Sequence, residues 1–117
     1  MSKHNDLLYL GHMVEYGRRA HDEVSRVSRE EFDANGTLQL AVTHLIQIVG
    51  EAARKVSLAT REAHPEIDWS RVTGMRHKIV HDYIEIDVGV VWDTATNDLP
   101  PLIAALEKFT PPEPPSA

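Results

Sequence analysis

The stretch TLQLAVTHLIQIVGEAARKVSLA, residues 37–59, decides the fold class. Leu38, Val42, Leu45, Val49, Ala52 and Val56 recur at helical spacing and share one face. Ala41, Ile46, Ile48 and Ala53 widen that face until most of the circumference is apolar, the pattern of a helix at the centre of a bundle. His44, Gln47 and Glu51 are the polar exceptions. A core-facing polar group must find partners, so these three are expected on the helix's less buried side.

Outward from this helix, the same periodicity returns. Residues 5–27 read as a helix that Asn5 or Asp6 can cap, with Leu7, Leu10, Val14, His21 and Val24 near helical spacing. Gly11 and Gly17 lower its intrinsic propensity, so packing must hold it. Ser28 and Glu31 stand as a capping box for a short helical turn that stops near Asn35-Gly36. On the other side, His64-Pro65 breaks the pattern, because the residue before a proline disfavours helix. Asp68 or Ser70 then opens a helix predicted to run to about Asp82, with Val72, Met75, Ile79 and Val80 as its apolar face. Asp87 caps a further helix carrying Val88, Val90, Val91 and Trp92. Residues 97–101 mark a joint, whose prolines suit the first turn of a last helix over 100–109. No strand pair or internal repeat stands out. The expectation is an all-α antiparallel bundle of about five to six helices in one domain, 1–109, with 110–117 as a proline-rich disordered tail.

Composition narrows the function. A chain of 117 residues, 42% hydrophobic, suffices for one core and is too short for two. No run approaches the ~18 apolar residues of a membrane span, and the N-terminus lacks the apolar block of a signal peptide. The absence of cysteine excludes disulfides and thiolate metal sites and fits a cytoplasmic protein. A net charge of −6 argues against a nonspecific coat for nucleic acid. The charge is uneven, however. Residues 69–81 hold Arg71, Arg76, Lys78 and two histidines with no acid, whereas 82–98 hold five acids and no lysine or arginine. A small basic site on an acidic body suits a selective anionic target, and a plain solvated helix face accounts for the same pattern.

Within that basic stretch lies GMRHKIVHDY, residues 74–83, with Arg76, His81 and Tyr83 spaced R-x4-H-x-Y. Arginine clamps a phosphate with paired hydrogen bonds, and histidine moves a proton near neutral pH. Together they form a minimal kit for cutting RNA without a metal: the histidine deprotonates the ribose 2′-hydroxyl and the arginine stabilises charge on the phosphate. His77, Lys78 and Asp82 stand beside them as supporting groups, and Tyr83 can donate to phosphate or stack on a base. On an ideal helix Arg76 and Tyr83 share a face, but His81 does not join them. Convergence therefore requires the helix to end or distort near His81, or a second subunit to complete the cleft. Bland readings also fit: a cationic helix end for Arg76, a helix cap for His81 and a packing residue for Tyr83. The His77/His81 pair could bind zinc with Asp82 or Glu85, but Lys78 puts a cation beside the metal and the glutamate of the metalloprotease motif is missing. No glycine loop for a nucleotide is present.

Gly50-Glu51-Ala52-Ala53-Arg54-Lys55, Pro65-Glu66-Ile67-Asp68-Trp69, Gly74 through Tyr83, Val91-Trp92 and Asp98-Leu99-Pro100 together resemble the HepT-like proteins of the HEPN superfamily over residues 6–109. The resemblance implies a helical bundle that dimerises, with the R-x4-H-x-Y residues of both protomers lining a cleft at their interface. It implies a metal-independent ribonuclease toxin that needs no cofactor, paired with a minimal nucleotidyltransferase antitoxin of the MNT type. In that pairing the antitoxin transfers AMP from ATP to the motif tyrosine. By position, Arg76 and His81 are then the catalytic candidates and Tyr83 the modification site. His77 departs from the asparagine common after the motif arginine. The competing reading is a noncatalytic helical adaptor that helps a nucleotidyltransferase hold its substrate. Substituting Arg76 and His81 separates the two.

Overall fold

The first helix, α1 (Lys3–Ser25), turns Leu10, Met13, Val14, Ala20 and Val24 inward. The structure, a computed structural model, describes residues 3–79 and 85–110, and of Lys3, His4 and Arg76 the backbone alone. All regular elements among these residues are helical, as the sequence predicts. A capping box, with Ser28 accepting from the Glu31 N–H and Glu31 accepting from the Ser28 N–H, opens the short α2 (Arg29–Asp33). α2 stops just short of Asn35-Gly36, where the sequence predicts its end. Asn35 also caps the next helix, α3 (Gly36–Lys55), by accepting from the Leu38 N–H.

α3 lies at the centre, with Val42, Leu45, Ile46, Val49, Ala52 and Ala53 buried. His44 and Glu51 are exposed and Gln47 half-buried, on the outer side where the sequence places them. α1 runs antiparallel to α3. At the crossing Gly17 comes so close that a Cβ there would lie 3.3 Å from Ile103 and 3.9 Å from Val49. Leu7, by contrast, is 47% exposed and takes no part in the apolar stripe predicted for it.

α3 stops at Lys55 rather than at the predicted residue 59, for a reason remote in sequence. Ser57 leaves the helix to cap α4 (Leu58–Ala63), and Asp6 of α1 holds it there. The Asp6 carboxylate accepts from the Ser57 N–H at 2.9 Å, the Ser57 hydroxyl at 2.6 Å and the Thr60 hydroxyl at 2.5 Å. Asp6 is therefore a buried tie between α1 and α4, not the helix cap expected of it.

The helix predicted from Asp68 is divided. α5 (Trp69–Thr73), capped by Asp68 accepting from the Arg71 N–H, is followed at Gly74 by α6 (Met75–Ile79). Val72, Met75 and Ile79 bury the predicted apolar face. After residues 80–84, the Asp87 side chain accepts from the Val90 N–H and opens α7 (Val88–Asp93). The predicted joint at 97–101 is a change of helical pitch, with α7 passing through a π-helical turn, Thr94–Asp98, into α8 (Leu99–Glu107). Pro100 and Pro101 have no N–H for the preceding carbonyls, and the wider turn absorbs this without ending the rod. The Thr96 hydroxyl bonds back to the Trp92 carbonyl at 2.7 Å.

α1 receives this rod along its length. His21 Nδ1 meets the Ala95 carbonyl at 3.1 Å, and Arg18 pairs with Glu107. Phe32 of α2, fully buried, packs against Trp92 of α7 with ring centroids 5.2 Å apart. Of the segment 110–117 read from sequence as a tail, Thr110 is tied to the end of α8 by donating its N–H to the Leu106 carbonyl at 2.9 Å, and 111–117 lie outside the described residues.

Candidate functional site

α6 carries the start of the motif, and its support comes from α3. Gly50 sits where the end of α5 crosses: a Cβ at Gly50 would lie 3.2 Å from the Val72 carbonyl and 3.9 Å from that of Thr73. The glycine lets one helix's backbone rest against the other. Gly74 performs a similar service within the α5–α6 joint, where a Cβ would stand 3.2 Å from the Ser70 carbonyl. α5 is fixed further by Trp69, whose indole N–H donates to the His64 carbonyl at 3.0 Å. His64 in turn stacks on Phe109 with centroids 3.6 Å apart.

Of the six residues that the sequence marks for this site, the structure describes two fully. His77 and Lys78 are exposed on α6. The backbone of Arg76 belongs to the same helix, and its side chain is outside the description. His81, Asp82 and Tyr83 fall within residues 80–84, outside the described residues, and so does the question of their convergence with Arg76. What is described is the frame on both sides. The Asp87 N–H donates to the Ile79 carbonyl at 2.8 Å, joining the end of α6 to the start of α7. Among the described residues no three histidine, aspartate or glutamate side chains come together to hold a metal ion, and His77 lacks a described histidine partner because His81 is outside.

His77 opens onto a cleft of about 400 Å³ that it shares with Arg54, Arg61, Thr73 and Gly74. No carboxylate is among these lining residues. Arg54 lies in the last turn of α3, and its nearest acid is Glu51 at 3.7 Å. Arg61 belongs to α4 and folds back over the end of α3. Its Nε donates to the Val56 carbonyl at 3.0 Å and its Nη2 to the Arg54 carbonyl at 3.1 Å. Carbonyls at a helix C-terminus carry partial negative charge, so this placement is favourable and orients the guanidinium plane. Sequence reasoning missed Arg61 altogether, and met Arg54 only inside a stretch of resemblance. Nothing local marks either residue, because only the α3–α4 turn brings them beside α6.

The third arginine of the neighbourhood does something else. Arg71 pairs with Asp98 of the π-helical turn at 2.9 Å, and both line a second hollow of about 200 Å³ on the other flank of α5. There the lining is Glu66, Asp68 and apolar side chains including Ile67, Val72 and Leu102.

The family comparison bears on residues 13–109, which match the model for "Ribonuclease HepT-like" proteins. The chain belongs to the HepT-like family. As a HepT-like protein of the HEPN superfamily, it is similar to "Putative RNase MJ1216" of Methanocaldococcus jannaschii, 31% identical over 93% of this chain and 90% of that one. It is also 36% identical to the "Probable ribonuclease HepT" of Thermococcus cleftensis over 68% of this chain and 73% of that protein. To "Putative RNase TTE0752" of Caldanaerobacter subterraneus it is 29% identical over 80% of this chain and 84% of the relative. No solved structure matches. No helix among the described residues of this HepT-like chain is long and apolar enough to cross a membrane.

Proposed function

We propose that this HepT-like protein is a metal-independent endoribonuclease, the toxin of a toxin–antitoxin pair acting in the cytoplasm. The observation that carries the reading is the family match over 13–109, a range that contains Arg76, His81 and Tyr83 in R-x4-H-x-Y order. An exposed His77 beside a cleft that no carboxylate lines among the described residues is consistent with an anionic substrate.

In this proposal a neutral His81 accepts the proton of a ribose 2′-hydroxyl, and the 2′-oxygen attacks the adjacent phosphorus. The bond to the 5′-oxygen breaks, and that oxygen leaves as a hydroxyl after taking a proton from the imidazolium or from water. The product strand ends in a 2′,3′-cyclic phosphate. Arg76 holds the phosphate and offsets its developing charge, while His77 and Lys78 bind the RNA strand beside it and Asp82 is a supporting group. DNA lacks the attacking hydroxyl and is not cut. Two protomers bring their motifs together across a dimer interface. Silencing follows when an MNT-type antitoxin delivers ATP: the Tyr83 oxygen attacks the α-phosphorus, takes AMP and releases pyrophosphate.

The test is cleavage of cellular RNA and purified tRNA by the protein in EDTA, beside folded Arg76→Ala and His81→Ala variants. Cutting by wild type with cyclic-phosphate ends, reduced at least ~100-fold in both variants, is the expected result. Absence of cutting by wild type whose mass shows an unmodified Tyr83 would reject the nuclease in favour of an adaptor. A mass gain equal to AMP, seen with antitoxin and ATP and lost in Tyr83→Phe, checks the regulatory half.

A further inference from the structure

We infer that the Arg54–Arg61–His77 cleft is a phosphate-binding subsite of its own, which grips the RNA strand at a phosphate other than the one being cut. This rests on the ribonuclease reading for the identity of the polymer, though not for the chemistry of the site. Two arginines from different helices and one histidine from the motif helix share a hollow of about 400 Å³, and no carboxylate lines it among the described residues. The body around it carries a net charge of −6, so the cleft is a local exception in an otherwise acidic field.

The geometry favours phosphate over a generic surface charge. Arg61 is held by two backbone carbonyls, at 3.0 and 3.1 Å, so its fork is oriented before any ligand arrives. A planar, pre-set guanidinium suits the paired oxygens of a phosphate better than a point charge does. Arg54 is 60% exposed and, among the described residues, its side chain is tied only to Glu51, at a distance too long for a hydrogen bond, so it can swing onto an anion in the cleft. The Thr73 hydroxyl donates to the Ser70 carbonyl at 3.1 Å, leaving its oxygen as an acceptor and the anion-binding work to the cations.

The position ties the cleft to catalysis. His77 directly follows Arg76 in α6, so the hollow lies one residue along the chain from the motif arginine. Gripping a second phosphate fixes the register of a flexible strand, which a single contact at the scissile group cannot do. Arg54 and Arg61 are accordingly binding residues and not catalytic ones.

The experiment uses the full chain and a fluorescent single-stranded RNA with 2′-O-methyl riboses, which can bind but cannot be cut. Binding is followed by anisotropy across a salt series for wild type, Arg54→Gln, Arg61→Gln, Arg61→Lys and the surface control Arg26→Gln, each checked for fold by circular dichroism. Arg54→Gln removes no backbone contact, so it remains informative even if losing the Arg61 cap loosens α4. The expected result is about tenfold weaker binding in Arg54→Gln and Arg61→Gln, with a log–log salt slope shallower by about 0.7. Arg61→Lys recovers only part of the loss, Arg26→Gln binds as wild type, and cleavage of ordinary RNA by Arg54→Gln shows a raised KM with kcat retained.

Variants binding within twofold of wild type with an unchanged slope would overturn the subsite while leaving the nuclease intact. The predicted losses in a protein that never cuts RNA would sustain the subsite and reject the nuclease. No RNA binding by wild type would reject both. Weakened capture of a partner protein by Arg54→Gln, with RNA binding unaltered, would reassign the cleft to that partner and overturn the inference.

Discussion

The two flanks of α5 carry hollows of opposite character. One gathers Arg54, Arg61 and His77 with no carboxylate among its described lining residues; the other sets Glu66, Asp68 and Asp98 around apolar side chains. Arg71 belongs to the basic run 69–81, yet it lies on the second flank and is paired with Asp98 at 2.9 Å. Counting charge along the chain therefore credits the motif region with a cation that is already matched. It also overlooks two others, from α3 and α4, that face the motif helix. Local charge at a site depends on which elements meet there, and a linear count does not report it.

The sharpest way to break this contrast is to remove the support that both flanks share. Gly50→Val places branched carbon against the Val72 carbonyl, where even a Cβ would stand at 3.2 Å and backbone must move. A loss of about 3 kcal/mol in urea unfolding is expected, together with reduced RNA cleavage, since α5 and α6 lose their seat on α3. Unaltered stability would mean that the close crossing is not a constraint.

Next in size is the tie that positions the cationic flank alone. Asp6→Ala removes the acceptor for Ser57 and Thr60, and a loss of about 2 kcal/mol is expected. The pH dependence follows from the same contacts. Burial raises the Asp6 pKa, but hydrogen bonds from the Ser57 and Thr60 hydroxyls and the Ser57 N–H outweigh it, leaving the carboxyl below its ordinary value. A depressed folded pKa gives stability that is fully present above the unfolded carboxylate value and is lost as pH falls through the folded one. Urea midpoints measured from neutral to acidic pH should fall less steeply in Asp6→Asn than in wild type. Parallel curves would show that the tie does not titrate with folding.

Charge reversal tests the contrast directly. Arg54→Glu and Arg71→Glu alter net charge equally, so any difference between them is local. Arg54→Glu should weaken binding of the uncleavable RNA at least about tenfold, and Arg71→Glu no more than about twofold. Equal effects would indicate that the RNA senses only the overall field. The smallest effect is expected for Arg71→Gln. Its exposed ion pair contributes about 0–1 kcal/mol, measurable by thermal unfolding, and RNA cleavage should be retained.

Much of this architecture was legible along the chain because its signals are local. The Ser28–Glu31 capping box, the Asp68 and Asp87 caps and the outward placement of His44 and Glu51 each depend on residues a turn apart. The errors share the opposite cause. The periodicity carries α3 on to residue 59, since nothing near Ser57 reveals that Asp6, fifty-one positions earlier, holds it out of the helix. Spacing alone places Leu7 on the apolar stripe, but one turn before Leu10 the buried position of α1 is taken by Asp6, whose partners lie on α4 and the turn before it. The motif helix reads as unbroken in the sequence because Gly74 interrupts it without disturbing the apolar period.

By itself, then, the sequence determined an all-helical chain with an apolar central helix and the R-x4-H-x-Y signature, since helix periodicity, caps and motif spacing are properties of neighbouring residues. Only the tertiary structure decided that Gly50 seats α5, that Asp6 closes the α3–α4 turn, and that Arg54 and Arg61 converge on His77 while Arg71 is matched across the other flank. Those relations join residues far apart in the chain, and packing brings them together in a way that no local pattern records.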